Sequence, residues 1–290
     1  MIDFITSFDK KRLGYLFVVF GVCIYAFSDA IMQYFMPKYG VNQVVFFRTL
    51  ARIIPFIFVA GYQKFNPFRT TKVKENLIRA ILASTSTYCF MYAYRYAALT
   101  DVTVISYSTG LLIIPLSMLV LHEKINKYNV IAVILGFSGI LLAFRPGYGN
   151  FQIGSMFAVI ATFVAATNHV IIKKLSSTEN ELTLIFYHHL ILIIFSTILG
   201  FGNFTPIALS DLLVLFIGGL LGAISQYCMV HAFKLSTSSG LASATYFMLI
   251  PTTLIDYTLY GKVPDIFIVS GMILIISGAM LAYKMQPKFQ

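Results

Sequence analysis

Residues 138–145, Ser-Gly-Ile-Leu-Leu-Ala-Phe-Arg, return 139 positions later as Ser-Gly-Ala-Met-Leu-Ala-Tyr-Lys at 277–284. The same shift relates Tyr88-Cys89 to Tyr227-Cys228, Ala93 to Ala232 and Tyr107 to Tyr246. Further toward the N-terminus the shift is 140: Gly14, Phe17, Val19 and Ala26 match Gly154, Phe157, Val159 and Ala166, and VFFRTL at 45–50 matches IFYHHL at 185–190. A steady offset across the chain is the signature of an internal duplication. It predicts two units, residues 1–148 and 149–290.

Composition says where those units live. Of 290 residues, 58% are apolar and only 11% charged, and the mean hydropathy is +0.82, far above the range of soluble domains. A lipid-spanning helix takes about 20 mostly apolar residues. Apolar runs between polar connectors predict helices near 13–35, 42–61, 76–98, 102–121, 128–144, 152–172, 182–201, 210–233, 238–260 and 265–283. Ten spans leave no room for a soluble domain. The formal charge of +10 comes from basic residues scattered over short connectors, which speaks for membrane topology and against a nucleic-acid partner.

With a cytoplasmic N-terminus, that side collects Lys10, Lys11, Arg12, Lys64, Arg69, Lys72, Lys74, Lys124, Lys127, Lys173, Lys174, Lys234, Lys284 and Lys288, against Lys38, Arg145 and Lys262 on the other. Both termini are therefore expected on the cytoplasmic face of an inner membrane. Because each unit holds an odd number of helices, the second must cross upside down. The expected fold is an all-α membrane protein of ten transmembrane helices, two inverted five-helix repeats around a central cavity, the architecture that makes alternating access possible.

Charged and polar groups inside the bilayer cost several kcal/mol, about 2.5–3.5 on insertion scales, and need a reason to be there. Asp29 and Arg48 are expected to form a polar pair in the outer half, with their repeat mates His169 and His188 as an inner counterpart that could carry protons. These four, with Asp256 near the outer end of the ninth helix, are the gating or coupling candidates. Tyr88 with Tyr92, and Tyr227 with His231, are spaced four residues apart on one helical face. With Gln226 and Asn168 they are the substrate-binding candidates, since phenol, imidazole and amide groups both pack and hydrogen-bond an organic solute. Each set has a plain structural alternative: a static ion pair, core histidines bound to carbonyls, aromatics that pack helices. Cys23, Cys89 and Cys228 lack metal-site spacing and are expected to be free, buried thiols. Adjacent His188 and His189 diverge by about 100° on a helix, so neither a metal nor a cofactor is expected.

On Phe46-Phe47-Arg48 within the second helix, Leu121-His122-Glu123-Lys124-Ile125 closing the fourth, and the duplication itself, the chain resembles the EamA-type permeases of the drug/metabolite transporter superfamily. The resemblance covers nearly the whole sequence. It implies a basket of helices one to four and six to nine, with helices five and ten peripheral and available for a homodimer, and secondary transport of amino acids, amine metabolites or related solutes. Where the family pattern has a second Glu after the ninth helix, this chain has Gly261-Lys262.

The function expected is alternating-access transport of a small metabolite, best a zwitterion of the amino acid or S-adenosylmethionine kind, since both signs of charge fall in the outer cavity. A lipid scramblase or flippase is the alternative. A membrane-embedded enzyme is less favoured, because no nucleophile–base pair or His/Asp cluster shares a helical face.

Overall fold

Apolar side chains cover the outside of the molecule: Phe58 is 74% exposed, and Phe20, Phe27, Phe137, Phe163, Ile198 and Leu213 also face outward. Such a surface is a liability in water and the correct solvation in lipid. Stretches Leu16–Tyr62, Leu99–Val120, Ile153–Ile172, Leu182–Gly200 and Leu209–Cys228 are each long and apolar enough to cross a bilayer. The chain is a multi-pass, all-helical membrane protein.

The computed structural model describes residues 2–121, 127–144, 153–175, 178–235 and 246–284. Its helices are α1 (Ile2–Tyr62), α2 (Val73–Tyr96), α3 (Leu99–Ser106), α4 (Thr109–Leu121), α5 (Lys127–Phe144), α6 (Ile153–Leu175), α7 (Glu181–Gly200) and α8 (Leu209–Leu235), then a 3₁₀ turn (Tyr246–Met248), α9 (Leu249–Tyr260) and α10 (Ile266–Lys284). Glu123, Arg145 and the predicted boundary between the two units lie outside the described residues.

α1 is two antiparallel arms. Gly40 has φ 75° and ψ 158°, a conformation essentially confined to glycine, and Pro37 lies one turn before it. In a straight helix residues 29 and 48 would stand about 28 Å apart, yet their side chains touch at 2.6 Å. The chain therefore folds back at Gly40.

The main interfaces join the N-terminal portion, 2–144, to the C-terminal portion, 153–284. Both arms of α1 pack on α8, where a Cβ on Gly219 would come within 2.6 Å of the Arg48 carbonyl oxygen. α2 packs on α6 and α7, with the Ser86 hydroxyl donating to the Ala161 carbonyl at 2.9 Å. α5 pairs with α10, and Gly139 is what lets that pair close, because a Cβ there would meet the Gly271 carbonyl oxygen at 2.7 Å.

The fourth predicted span, 102–121, is interrupted. α3 ends at Ser106 and α4 starts at Thr109. Hydroxyls take over carbonyls around the break: Ser106 bonds Thr103 O at 2.8 Å and Thr109 bonds Ser106 O at 2.6 Å, a competition that bends helices. Pro115, further along, supplies no N–H to the ladder. The corresponding place in the C-terminal portion, Tyr246–Met248, is the 3₁₀ turn.

Both ends of the bundle are cross-linked between the portions. At the lysine-poor end Lys38 pairs with Asp211 at 2.6 Å, Gln43 donates to Thr205 O at 2.8 Å, and the buried Asp256 accepts from Leu99 N, Thr100 N and the Thr100 hydroxyl at 3.1, 2.7 and 2.6 Å. At the lysine-rich end Thr70 donates to Glu179 at 2.8 Å and Lys72 to Thr178 at 2.9 Å.

Candidate functional site

Between these two cross-linked ends lies a cavity of about 410 Å³, within the usual range for a small-molecule site. Both arms of α1, then α2, α3, α4, α6, α7, α8 and the 3₁₀ turn contribute to its wall, while among the described residues α5, α9 and α10 contribute none. Twelve of the eighteen lining residues fall into pairs. Tyr25 and Ala165, Arg48 and His188, Thr49 and His189, and Arg52 and Leu192 stand 140 residues apart; Thr87 and Gln226, and Thr109 and Met248, stand 139 apart. The offset in the sequence thus reappears as the arrangement of the wall.

The chemistry of paired positions differs. Arg48 donates from Nη2 to Asp29 Oδ1 at 2.6 Å and to the Ser28 hydroxyl at 3.3 Å, while Ser28 donates to Gly218 O at 2.7 Å. Asp29 is fully buried and Arg48 nearly so. Their charges cancel inside the protein, as a buried pair must. Arg52 follows one turn later, with Nη2 donating to Gly222 O at 3.0 Å. The Tyr25 ring lies beside both cations, 5.7 Å from the Arg48 guanidinium and 5.6 Å from that of Arg52, a cation–π distance. Across the cavity stand His169, His188 and His189. The His188 ring lies 3.4 Å from the Thr87 hydroxyl, and His189 Nδ1 is 2.8 Å from Ile185 O. Among the described residues no group of three His, Cys, Asp or Glu side chains could hold a metal.

The residues singled out from sequence separate into two sets. Arg48, His169, His188 and Gln226 line the cavity, and Asp29 stands directly behind Arg48. The others sit elsewhere. Tyr88 is buried, and Tyr92 stacks on Phe157 with centroids 5.4 Å apart; neither reaches the cavity wall. Tyr227 is 59% exposed on the outside of α8. Asn168 is buried off the cavity wall. The His231 side chain falls outside the described residues. Asp256 belongs to a smaller cleft with Thr100 and Lys262 at the lysine-poor end. Cys23 and Cys89 are free but only half-buried.

Sequence reasoning did not place Arg52, Tyr25 or His189 in the cavity, and weighed His189 only as a metal ligand, yet all three are in the wall. The signal was present. Arg52 lies four residues from Arg48 on the same helical face, and His189 is the repeat mate of Thr49.

The model of the EamA-like transporter family matches this chain twice, over residues 12–145 and 152–284. Among curated proteins it is similar to the S-adenosylmethionine uptake transporter of Rickettsia bellii, at 24% identity covering 90% of each chain. The protein of the same description from Rickettsia prowazekii is 22% identical over 92% of this chain and 94% of its own. The riboflavin transporter of Vibrio cholerae is 24% identical over 81% of this chain and 79% of its own. A chain of known crystal structure superposes with a TM-score of 0.63 at 14% identity, covering 93% of this chain and 96% of the other, a likeness of fold.

Proposed function

The chain belongs to the EamA-like transporter family, and on that premise we propose that it is a secondary carrier built from two inverted five-helix repeats, 1–148 and 149–290, that moves a small zwitterionic metabolite by alternating access. The observation that carries this reading is the pairing of cavity positions 139 or 140 residues apart. A pseudo-two-fold axis through the cavity makes two oppositely opened shapes near equivalents. The packing supports it as well. Both arms of α1 on α8 are matched by α6 and α7 on α2, while α5 with α10 closes on itself, as an exchange of the two repeats requires. Reading the run Leu16–Tyr62 as two spans joined at Gly40, and the broken 99–121 run as one span, accords with ten crossings.

The lysine-rich end, with both termini, is the cytoplasmic side. In a bacterium the membrane is the inner one. α5 and α10 lie away from the cavity and leave a face for a homodimer.

For the substrate, a wall of guanidinium, imidazole, hydroxyl and aromatic groups suits amino acids and amine-bearing zwitterions, and the Rickettsia relatives make S-adenosylmethionine the first compound to try. His169 and His188, facing the cavity, are the groups that would couple transport to protons. The test is uptake of S-adenosylmethionine and labelled amino acids into proteoliposomes holding the full-length protein, with and without a proton gradient. Saturable uptake of a zwitterion, accelerated by the gradient, is expected. Movement of fluorescent lipid between leaflets with no solute uptake would mean a scramblase instead.

A further inference from the structure

Asp29 and Arg48 spend their charges on one another, so neither is available to hold a zwitterion. Arg52 is different. It lines the cavity, held by the Gly222 carbonyl and by Tyr25. Its Nε is buried and makes no hydrogen bond among the described residues. The described ion pairs are Lys38 with Asp211 and Arg48 with Asp29, so no described carboxylate pairs with it directly, and the nearby Asp29 is already engaged by Arg48. A guanidinium cannot shed its proton, and an uncompensated charge at this depth is expensive. Among the described lining residues the C-terminal portion offers no acid in return: the position matching Arg52 is Leu192, and the facing side chains include His188, His189 and Gln226.

We propose that Arg52 is the anchor for the substrate's carboxylate, which completes the charge balance of the cavity on binding. This deepens the zwitterion reading and rests on it. The guanidinium presents its planar fork to an anion in the geometry a carboxylate matches, while the Gly222 carbonyl and the Tyr25 ring fix its orientation. The cationic end of the solute is then left to Phe90, Tyr94 and Met91, because the Asp29 carboxylate is occupied. Cation–π contact is what such a wall offers an ammonium or a sulfonium.

The experiment uses purified full-length protein and three matched pairs, S-adenosylmethionine, L-methionine and L-leucine, each with the amine left when its carboxylate is removed, and riboflavin as a solute without one. Binding is measured by thermal shift and calorimetry for the wild type, Arg52→Gln and Arg52→Lys. The wild type is expected to prefer the carboxylated member of at least one pair about ten- to a hundredfold, the weight of one charge-assisted contact. Arg52→Gln should erase that preference while leaving the amine's weak affinity alone, and Arg52→Lys should recover part of it. The unliganded Arg52→Gln protein should melt no lower than the wild type, which separates lost recognition from lost folding. A preference kept in full by Arg52→Gln overturns the anchor and leaves the zwitterion reading standing. Equal binding of amines, or binding of riboflavin alone, overturns it too. If methionine or leucine behaves as predicted and S-adenosylmethionine does not bind, the anchor holds and the S-adenosylmethionine assignment fails. If nothing in the panel binds, the zwitterion reading falls and takes the anchor with it.

Discussion

The two walls of the cavity are built on matching backbone positions and carry opposite kinds of chemistry. The N-terminal wall bears Arg48 and Arg52, charged at every accessible pH; the C-terminal wall bears His188 and Leu192 at the same places, with His169 and His189 close by. Most cross-links run one way. Lys38, Arg52, Arg79, Ser28 and Ser86 donate from the N-terminal portion, and Asp211, Gly222, Leu184, Gly218 and Ala161 accept in the C-terminal one, while Thr205 donates back to Gln43 Oε1. On the two-repeat reading, the same backbone positions carry different side chains: one wall holds guanidinium groups, and the other holds imidazoles.

That contrast can be broken most forcefully at the guanidinium side. Arg48→Gln leaves Asp29 as an unpaired carboxylate with no exposure, and the unfolding midpoint in detergent should fall by the equivalent of about 3–5 kcal/mol. Adding Asp29→Asn should restore most of it. If the single variant melts like the wild type, the pair is not what neutralises this region.

The next effect lies outside the cavity. Asp256 reaches across from α9 to satisfy the first amides of α3, the donors that a helix start leaves free. Asp256→Asn keeps the shape, loses the charge and one acceptor, and should cost about 1–3 kcal/mol. Faster hydrogen exchange at Leu99 and Thr100 is the readout; unchanged protection there would mean that other contacts hold this end shut.

At the C-terminal wall, His188→Gln should slow uptake a fewfold and reduce its stimulation by a proton gradient, with little change in melting. Wild-type uptake and wild-type stimulation in this variant would take His188 out of coupling.

The smallest effect belongs to the exposed Lys38–Asp211 contact. Asp211 accepts from both Lys38 and Tyr39 at 2.6 Å. The melting difference between wild type and Asp211→Asn should be slight, as for surface pairs, and smaller still in high salt.

The membrane class and the family were legible in the sequence because lipid accepts few backbone solutions and each demands a long apolar helix. The Asp29–Arg48 contact was legible too, since two opposite charges in adjoining apolar runs have few other places to go. Facing was not. Spacing of four puts Tyr88 with Tyr92 on one side of a helix, but a helix apolar all round gives no clue to which side meets the cavity. Tyr88 went into the packing and Tyr227 to the surface. The break at Tyr107-Ser108 was hidden for a related reason: it arises from hydroxyls bonding nearby carbonyls, with no glycine or proline at the break itself. Arg52 was missed because its meaning depends on what is absent around it.

The central claim is that one cavity is reached from each face in turn. Counterflow tests it directly: proteoliposomes preloaded with unlabelled S-adenosylmethionine, or with whichever panel solute binds, are diluted into a trace of the labelled compound. A carrier working by alternating access will draw label transiently above its final level, because each outward trip with unlabelled solute returns the site for labelled solute. A smooth rise to equilibrium with no overshoot, at the same rate in loaded and empty vesicles, would contradict the account.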